Sequence, residues 1–208
     1  MPAPTRIDWG VAKRTLPGER ESGDLHLVKQ RPSGVLVCVV DGLGHGAQAA
    51  AAARTAVQTV ERSAGEAVGA VLERCHRALV GTRGVVMSLA AFDGADEGAG
   101  AMTWLGVGNV EGVLVYGDPT RRPAKTSLLT RGGIVGSELP PLRAQVVPVA
   151  PGDTLIFATD GIEDTFAHDL PSDASPQQLA DYVLARHGKG TDDALVLVAR
   201  YAGRGAGS

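Results

Sequence analysis

Apolar and polar positions divide this chain into short strands with three helical stretches between them. Runs of mainly apolar residues predict strands at 6–13 (RIDWGVAK), 25–28, 35–40 (VLVCVV), 85–92 (VVMSLAAF), 101–107 and 112–116. Shorter runs at 127–129 and 145–149, a run ending in acid at 155–160 (LIFATD) and a final one at 194–201 continue the series. Residues 48–63 are alanine-rich and helical. In 66–80, Val68, Val71, Leu72, Cys75 and Leu79 recur at spacings of three or four, which predicts a second helix packed by one face. A third helix is predicted at 175–187, with Ser175 as cap and Pro176 in its first position. Glycine, proline and acid mark turns at 93–100, 108–109, 118–123, 132–141 and 151–153. Regular alternation of strand and helix is missing. That favours an α+β fold with antiparallel sheets over a doubly wound parallel one. No repeat, linker or charge run divides the chain, so residues 1–201 read as a single domain and 202–208 as a flexible tail.

Composition removes several function classes. The chain has 208 residues and a formal net charge of −3. It carries no basic footprint for nucleic acid and no apolar run of membrane-spanning length. The N-terminus lacks the apolar stretch of a signal peptide. Cys38 and Cys75 lie in apolar or helical patterns without disulfide spacing, which suggests reduced thiols and a cytoplasmic protein.

The candidate chemistry is acidic. Strand 35–40 runs into Asp41 and a glycine-rich turn, Gly42-Leu43-Gly44-His45-Gly46. A carboxylate at the end of a buried strand costs several kcal/mol when unpaired, so Asp41 calls for a partner. Asp160-Gly161 ends a second apolar run in the same way. Asp192 and Asp193 open a third, and Asp24 opens the strand at 25–28. Acids at the ends of strands far apart in sequence suit a hard divalent cation. With no Cys or His at ligand spacing, that cation is magnesium or manganese rather than zinc. The glycine turn also fits the loose dinucleotide fingerprint G-x-G-x-x-G/A. Against that reading, Asp41 would face a pyrophosphate, and the acid about twenty residues on, Glu61, falls in a helical pattern. A P-loop and a nucleophile elbow are absent, and Ser88 lies within a strand with no evident base. His45 reads as a loop residue and His76 as a helix-surface residue.

The set SGD (22–24), DGLGHG (41–46), ATDGIED (158–164) and TDDALVLV (191–198) resembles the metal-dependent serine/threonine phosphatases of the protein phosphatase 2C (PPM) class. Within that class it resembles the SpoIIE-type branch, and its length matches the small stand-alone RsbX-like members. RGVVMSLAAFD, TWLGVGNVEGVL, RGGIVG and LPP follow in the family's order, so the resemblance covers nearly the whole chain. It implies a four-layer αββα sandwich of two mainly antiparallel sheets flanked by helices. It also implies two divalent cations, Mn²⁺ or Mg²⁺, that activate a bridging water for attack on phosphorus. Carried over by position, Asp41 bridges the metals, Gly42 lends a carbonyl, Asp24 holds the second metal, and Asp160 and Asp192 hold the first. Asp193 is a neighbour rather than a ligand. Arg20 matches a phosphate-binding arginine of some relatives, and Leu195 stands where the family often has threonine. His45 is the one side chain nearby in sequence that could act as general acid, and a metal-bound water is the alternative. The implied substrates are phosphoserine or phosphothreonine forms of anti-anti-sigma or stressosome (STAS-domain) proteins in bacterial stress and sigma-factor signalling. The expected state is a monomer or weak homodimer. The alternative is a pseudophosphatase with an impaired metal site, acting as a regulatory binding module.

Overall fold

The computed structural model describes residues 5–94 and 100–204. Two five-stranded sheets, antiparallel throughout, stack face to face. One has the order β1-β10-β9-β6-β7: β1 (Thr5–Arg14), β6 (Glu111–Val115), β7 (Lys125–Ser127), β9 (Thr154–Ala158) and β10 (Ala194–Arg204). The other has the order β2-β3-β4-β5-β8: β2 (Asp24–Arg31), β3 (Gly34–Gly42), β4 (Val85–Gly94), β5 (Gly100–Val107) and β8 (Gln145–Val149). Helices α1 (Gly46–Ser63) and α2 (Val68–Leu79) cover the outer face of the second sheet, and α3 (Pro176–His187) covers the first. The expected αββα layering is the observed one.

The layering explains why β3 reads as an unbroken apolar run. Val35, Val37 and Val39 point between the sheets, while Leu36, Cys38 and Val40 point under α1 and α2. Both faces are covered, so no position favours a polar residue, and each buried side chain contributes about 1.5–3 kcal/mol. The dinucleotide reading fails on topology: the strand before the glycine turn is paired antiparallel on both sides, so no βαβ unit exists there. Glu61, its would-be ribose ligand, is on α1, bonded to Lys29 at 2.9 Å.

Boundaries shift where pairing outlasts the apolar run. β2 extends over Asp24–Arg31, twice the predicted length, because β3 pairs with all of it. β10 continues to Arg204, placing the first three residues of the predicted tail opposite Thr5 and Arg6 of β1. Residues 95–99, most of the predicted turn at 93–100, lie outside the described residues. A short 3₁₀ helix, Asp164–Ala167, follows β9 in a stretch where no element is predicted. The α3 cap is as predicted: the Ser175 side chain accepts from the Gln178 backbone N–H, and Gln178 returns a bond to Ser175.

The antiparallel order has one consequence for function. The C-terminal ends of β3, β5 and β9 and the N-terminal ends of β2, β4, β6 and β10 lie at the same edge of the sandwich. All four sequence-separated acids sit at that edge.

Candidate metal centre and its pocket

Asp24 and Asp41 are direct cross-strand partners in the β2–β3 register, and both point into the space between the sheets. Asp41 is thus still inside the β-ladder, paired with Val86 of β4 on its other side, rather than in the turn that follows. Burial is the main force on both acids. Asp24 is 1% exposed, and its carboxyl is pushed up to about 7, first by desolvation, against a lowering hydrogen bond from Thr159, and then by the charges of Asp193, Asp160 and Asp192. Asp41 is pushed up to about 9, again by burial first, then by Asp24, Asp160, Asp192 and Asp193. Among the described residues, no Lys, Arg or His forms an ion pair with any of these carboxylates.

The remaining acids approach from the other sheet. Asp160 follows β9 and is exposed, while Asp192 precedes β10 and is half-buried. Asn109, in the β5–β6 turn, donates its side-chain N–H to Asp160 Oδ2 at 2.9 Å. Lys189 Nζ donates to the Asp160 main-chain carbonyl at 2.8 Å. Asp193 turns inward instead: its two carboxylate oxygens accept the backbone N–H groups of Leu16 (2.8 Å) and Gly23 (2.7 Å). It clamps the β1–β2 connection.

Thr159 is the residue that composition and spacing did not reveal. It is 2% exposed. Its hydroxyl donates to Asp24 Oδ2 at 2.7 Å and accepts the Leu195 backbone N–H at 2.8 Å. A threonine hydroxyl therefore meets position 195 in space, although the residue there is leucine. The only sequence signal for Thr159 is its place beside Asp160 in ATDG, and Asn109 was legible only as a turn former.

Gly42 has a structural requirement of its own. A Cβ there would lie 2.2 Å from the Ala49 carbonyl oxygen, so α1 rests directly on the main chain of β3. Its N–H is bonded to the Gly23 carbonyl at 3.1 Å. Gly44 has φ +82°, and the Arg83 guanidinium covers it, with Nη1 2.6 Å from where a Cβ would stand. Arg83 is held there by Gln48 Oε1 (2.7 Å). Gly44 borders a pocket of about 500 Å³ lined also by Asp41, Leu43, Asn109, Asp160 and Asp192, among others. Arg20 is exposed on the β1–β2 connection and is not part of that lining. His45 is also outside it, its Nδ1 2.6 Å from Glu19 Oε1. His76 is not a free surface residue: its Nδ1 accepts the Gly136 N–H at 3.0 Å and fastens the 130–144 loop.

The donor set fits a hard cation. Buried Asp24 and half-buried Asp41, neither of them ion-paired among the described residues, with Thr159 bonded to Asp24 and Asn109 to the exposed Asp160, match oxygen-ligand chemistry and its supporting shell. Among the described residues, no three Asp, Glu, His or Cys side chains enclose an ion by themselves.

The family model for stage II sporulation protein E (SpoIIE) matches residues 31–202. Among solved structures, a chain from work on the bacterial stressosome, a modular system adapted to control secondary messenger signalling, is 27% identical (TM-score 0.78; 94% of this chain, 100% of that one). RsbX in complex with magnesium is 22% identical (TM-score 0.80; 94% and 96%). The catalytic domain of the serine/threonine protein phosphatase PstP with two manganese ions is 15% identical (TM-score 0.70; 94% and 98%). No curated protein matches the sequence significantly. No helix among the described residues is long and apolar enough to cross a membrane.

Proposed function

The chain belongs to the SpoIIE family, and from that premise we propose that it is a Mn²⁺- or Mg²⁺-dependent phosphoserine/phosphothreonine protein phosphatase. The observation that carries the reading is the pair of buried Asp24 and half-buried Asp41, opposed across β2 and β3 with no cationic ion-pair partner among the described residues. Magnesium in RsbX and manganese in the PstP catalytic domain, two structures of the same fold, support divalent cations as the counter-charge.

Asp41, Asp24, Asp160 and Asp192, with the Gly42 carbonyl, would hold the ions. Bound there, divalent cations supply Lewis acidity toward water and phosphoryl oxygens. The chain's own residues do the positioning. Thr159 fixes the Asp24 carboxylate by donating to one of its oxygens. Asn109 fixes Asp160, and Lys189 holds the main chain behind it. The pocket walls at Gly44 and Gly108 keep the approach to the acids open. A protein nucleophile is disfavoured by the surroundings of each candidate. Ser88 is fully buried and donates to the Val110 carbonyl. The Cys38 and Cys75 thiols are buried and pushed up, Cys75 to about 12, far from the thiolate form needed for attack.

We propose phosphorylated STAS-domain proteins of stress and sigma-factor signalling as the substrates, met in the cytoplasm, a reading supported by the likeness to a chain from work on the stressosome and to RsbX. The deciding experiment is hydrolysis of p-nitrophenyl phosphate and of a phosphoserine STAS-domain protein by purified protein in Mn²⁺. Activity that EDTA removes and Asp41→Asn abolishes is expected; activity undiminished in EDTA would sink the reading. Calorimetry that detects no Mn²⁺ binding would favour a regulatory binding module instead.

A further inference from the structure

The metal pocket adjoins two depressions of opposite charge. Through Asn109 and Asp160 it joins a cleft lined by Glu111, Glu163 and Asp164, in which Lys189 is the only cation. Through Gly132 it joins a groove of about 690 Å³ lined by Leu129, Arg131, Pro140, Arg143 and Gln145, in which no acid stands. Arg131 and Arg143 are exposed, and neither forms an ion pair among the described residues. Arg131 is nonetheless held firmly: its N–H donates to the Gly106 carbonyl (3.1 Å), and its carbonyl accepts the Gly108 N–H (2.7 Å). Leu129 is 74% exposed, a large apolar side chain on the rim that this groove shares with a depression running to Glu111 and Asp164. The neighbouring edge strand β8 carries Pro148, which withdraws a backbone donor and disfavours a partner that adds a strand there. Recognition in this groove therefore falls to side chains.

The geometry points to this groove as the docking surface for the segment of a substrate protein that flanks its phosphorylated residue. Acidic residues of that segment meet Arg131 and Arg143, and an apolar one covers Leu129. The continuity at Gly132 places such a segment within reach of the metal pocket, and the acid-free lining selects its charge. The acidic cleft at Glu111, Glu163 and Asp164 repels an acidic flank, so the two depressions together fix the direction in which the segment lies. This inference rests on the phosphatase reading, and its test separates the two.

Fluorescent phosphoserine peptides of equal length are compared, carrying an acidic run N-terminal to the phosphoserine, an acidic run C-terminal to it, or lysines in place of both. Binding is read by anisotropy in EDTA, so that docking is measured whether or not hydrolysis occurs. One of the two acidic peptides is expected to bind about ten-fold more tightly than the lysine peptide, as rim charges allow. Added salt weakens that preference, and the double variant Arg131→Glu/Arg143→Glu abolishes it. In Mn²⁺, the same double variant raises KM for the favoured peptide with kcat and p-nitrophenyl phosphate hydrolysis unchanged. Equal binding of all three peptides, or a preference that survives in the double variant, overturns the docking surface. Loss of p-nitrophenyl phosphate hydrolysis by the unaltered protein would tell against the phosphatase reading and leave the binding result standing.

Discussion

Two carboxylates define the chemistry at the scale of single residues. Asp24 and Asp41 share one register position and repel each other there. Asp41→Asn removes the most central of the acids, and hydrolysis of p-nitrophenyl phosphate in Mn²⁺ is expected to fall on the order of 10³-fold. Thr159→Val keeps the shape of the side chain and deletes the hydroxyl that donates to Asp24. Asn109→Ala deletes the donor to Asp160. Support of this kind is typically worth 10–100-fold in metal affinity or activity. Both variants should therefore need more Mn²⁺ for half-maximal rate, a shift that metal titration reads directly. Recovery of the wild-type rate at saturating Mn²⁺ is the expected signature of a positioning role, whereas an unchanged Mn²⁺ dependence would remove it. The acids were visible in sequence because each ends or opens an apolar run. Thr159 was not, since its partners Asp24 and Leu195 are 135 and 36 positions away.

Elements meet at the site through small residues. α1 can lie on β3 because positions 42 and 49 are Gly and Ala, and a Cβ at position 42 would strike the Ala49 carbonyl. Gly42→Ala should cost on the order of 1–3 kcal/mol through overpacking, measured by urea unfolding, and should also lower activity, because the displaced strand carries Asp41. Ser175→Ala makes the contrasting case. It removes the capping box of α3 on the opposite face of the molecule, so about 1 kcal/mol of stability should be lost with turnover per folded molecule unchanged. A fall in turnover would show that α3 is coupled to the site. Alanine content, hydrophobic period and cap signals located the three helices, and apolar runs most of the strands, to within a few residues. The ends moved where the ladder continued past the apolar run, as in β2 and β10, because main-chain pairing is indifferent to side-chain polarity.

The whole molecule carries the electrostatic cost of gathering these acids. The folded-state values of Asp24 (about 7) and Asp41 (about 9) lie above the ordinary 3.8. The folded protein therefore binds more protons than the unfolded chain between those values. The stabilisation from these groups is complete below about pH 4 and is lost as pH rises, first through 7 and then through 9. Thermal melts in EDTA should accordingly show Tm falling between pH 5 and pH 9. Asp41→Asn should remove the upper part of that fall. Mn²⁺ should flatten it and raise Tm, by about 2.7 kcal/mol of stability at 100 times Kd. A Tm in EDTA that is flat across this range would mean the acids are solvated rather than buried.

Fold class, the glycine-rich turn after β3 and the candidate acids were legible along the linear chain, since strand period, turn chemistry and a charge at the end of an apolar run are local properties. Whether those acids meet is not local. Only the tertiary structure set Asp24 against Asp41, turned Asp193 to hold the backbone of Leu16 and Gly23, left Arg20 and His45 outside the pocket lining, brought Asn109 into that lining, and set Thr159 against Asp24. The reason is the antiparallel stacking of the two sheets, which gathers at one edge strand ends that lie far apart along the chain.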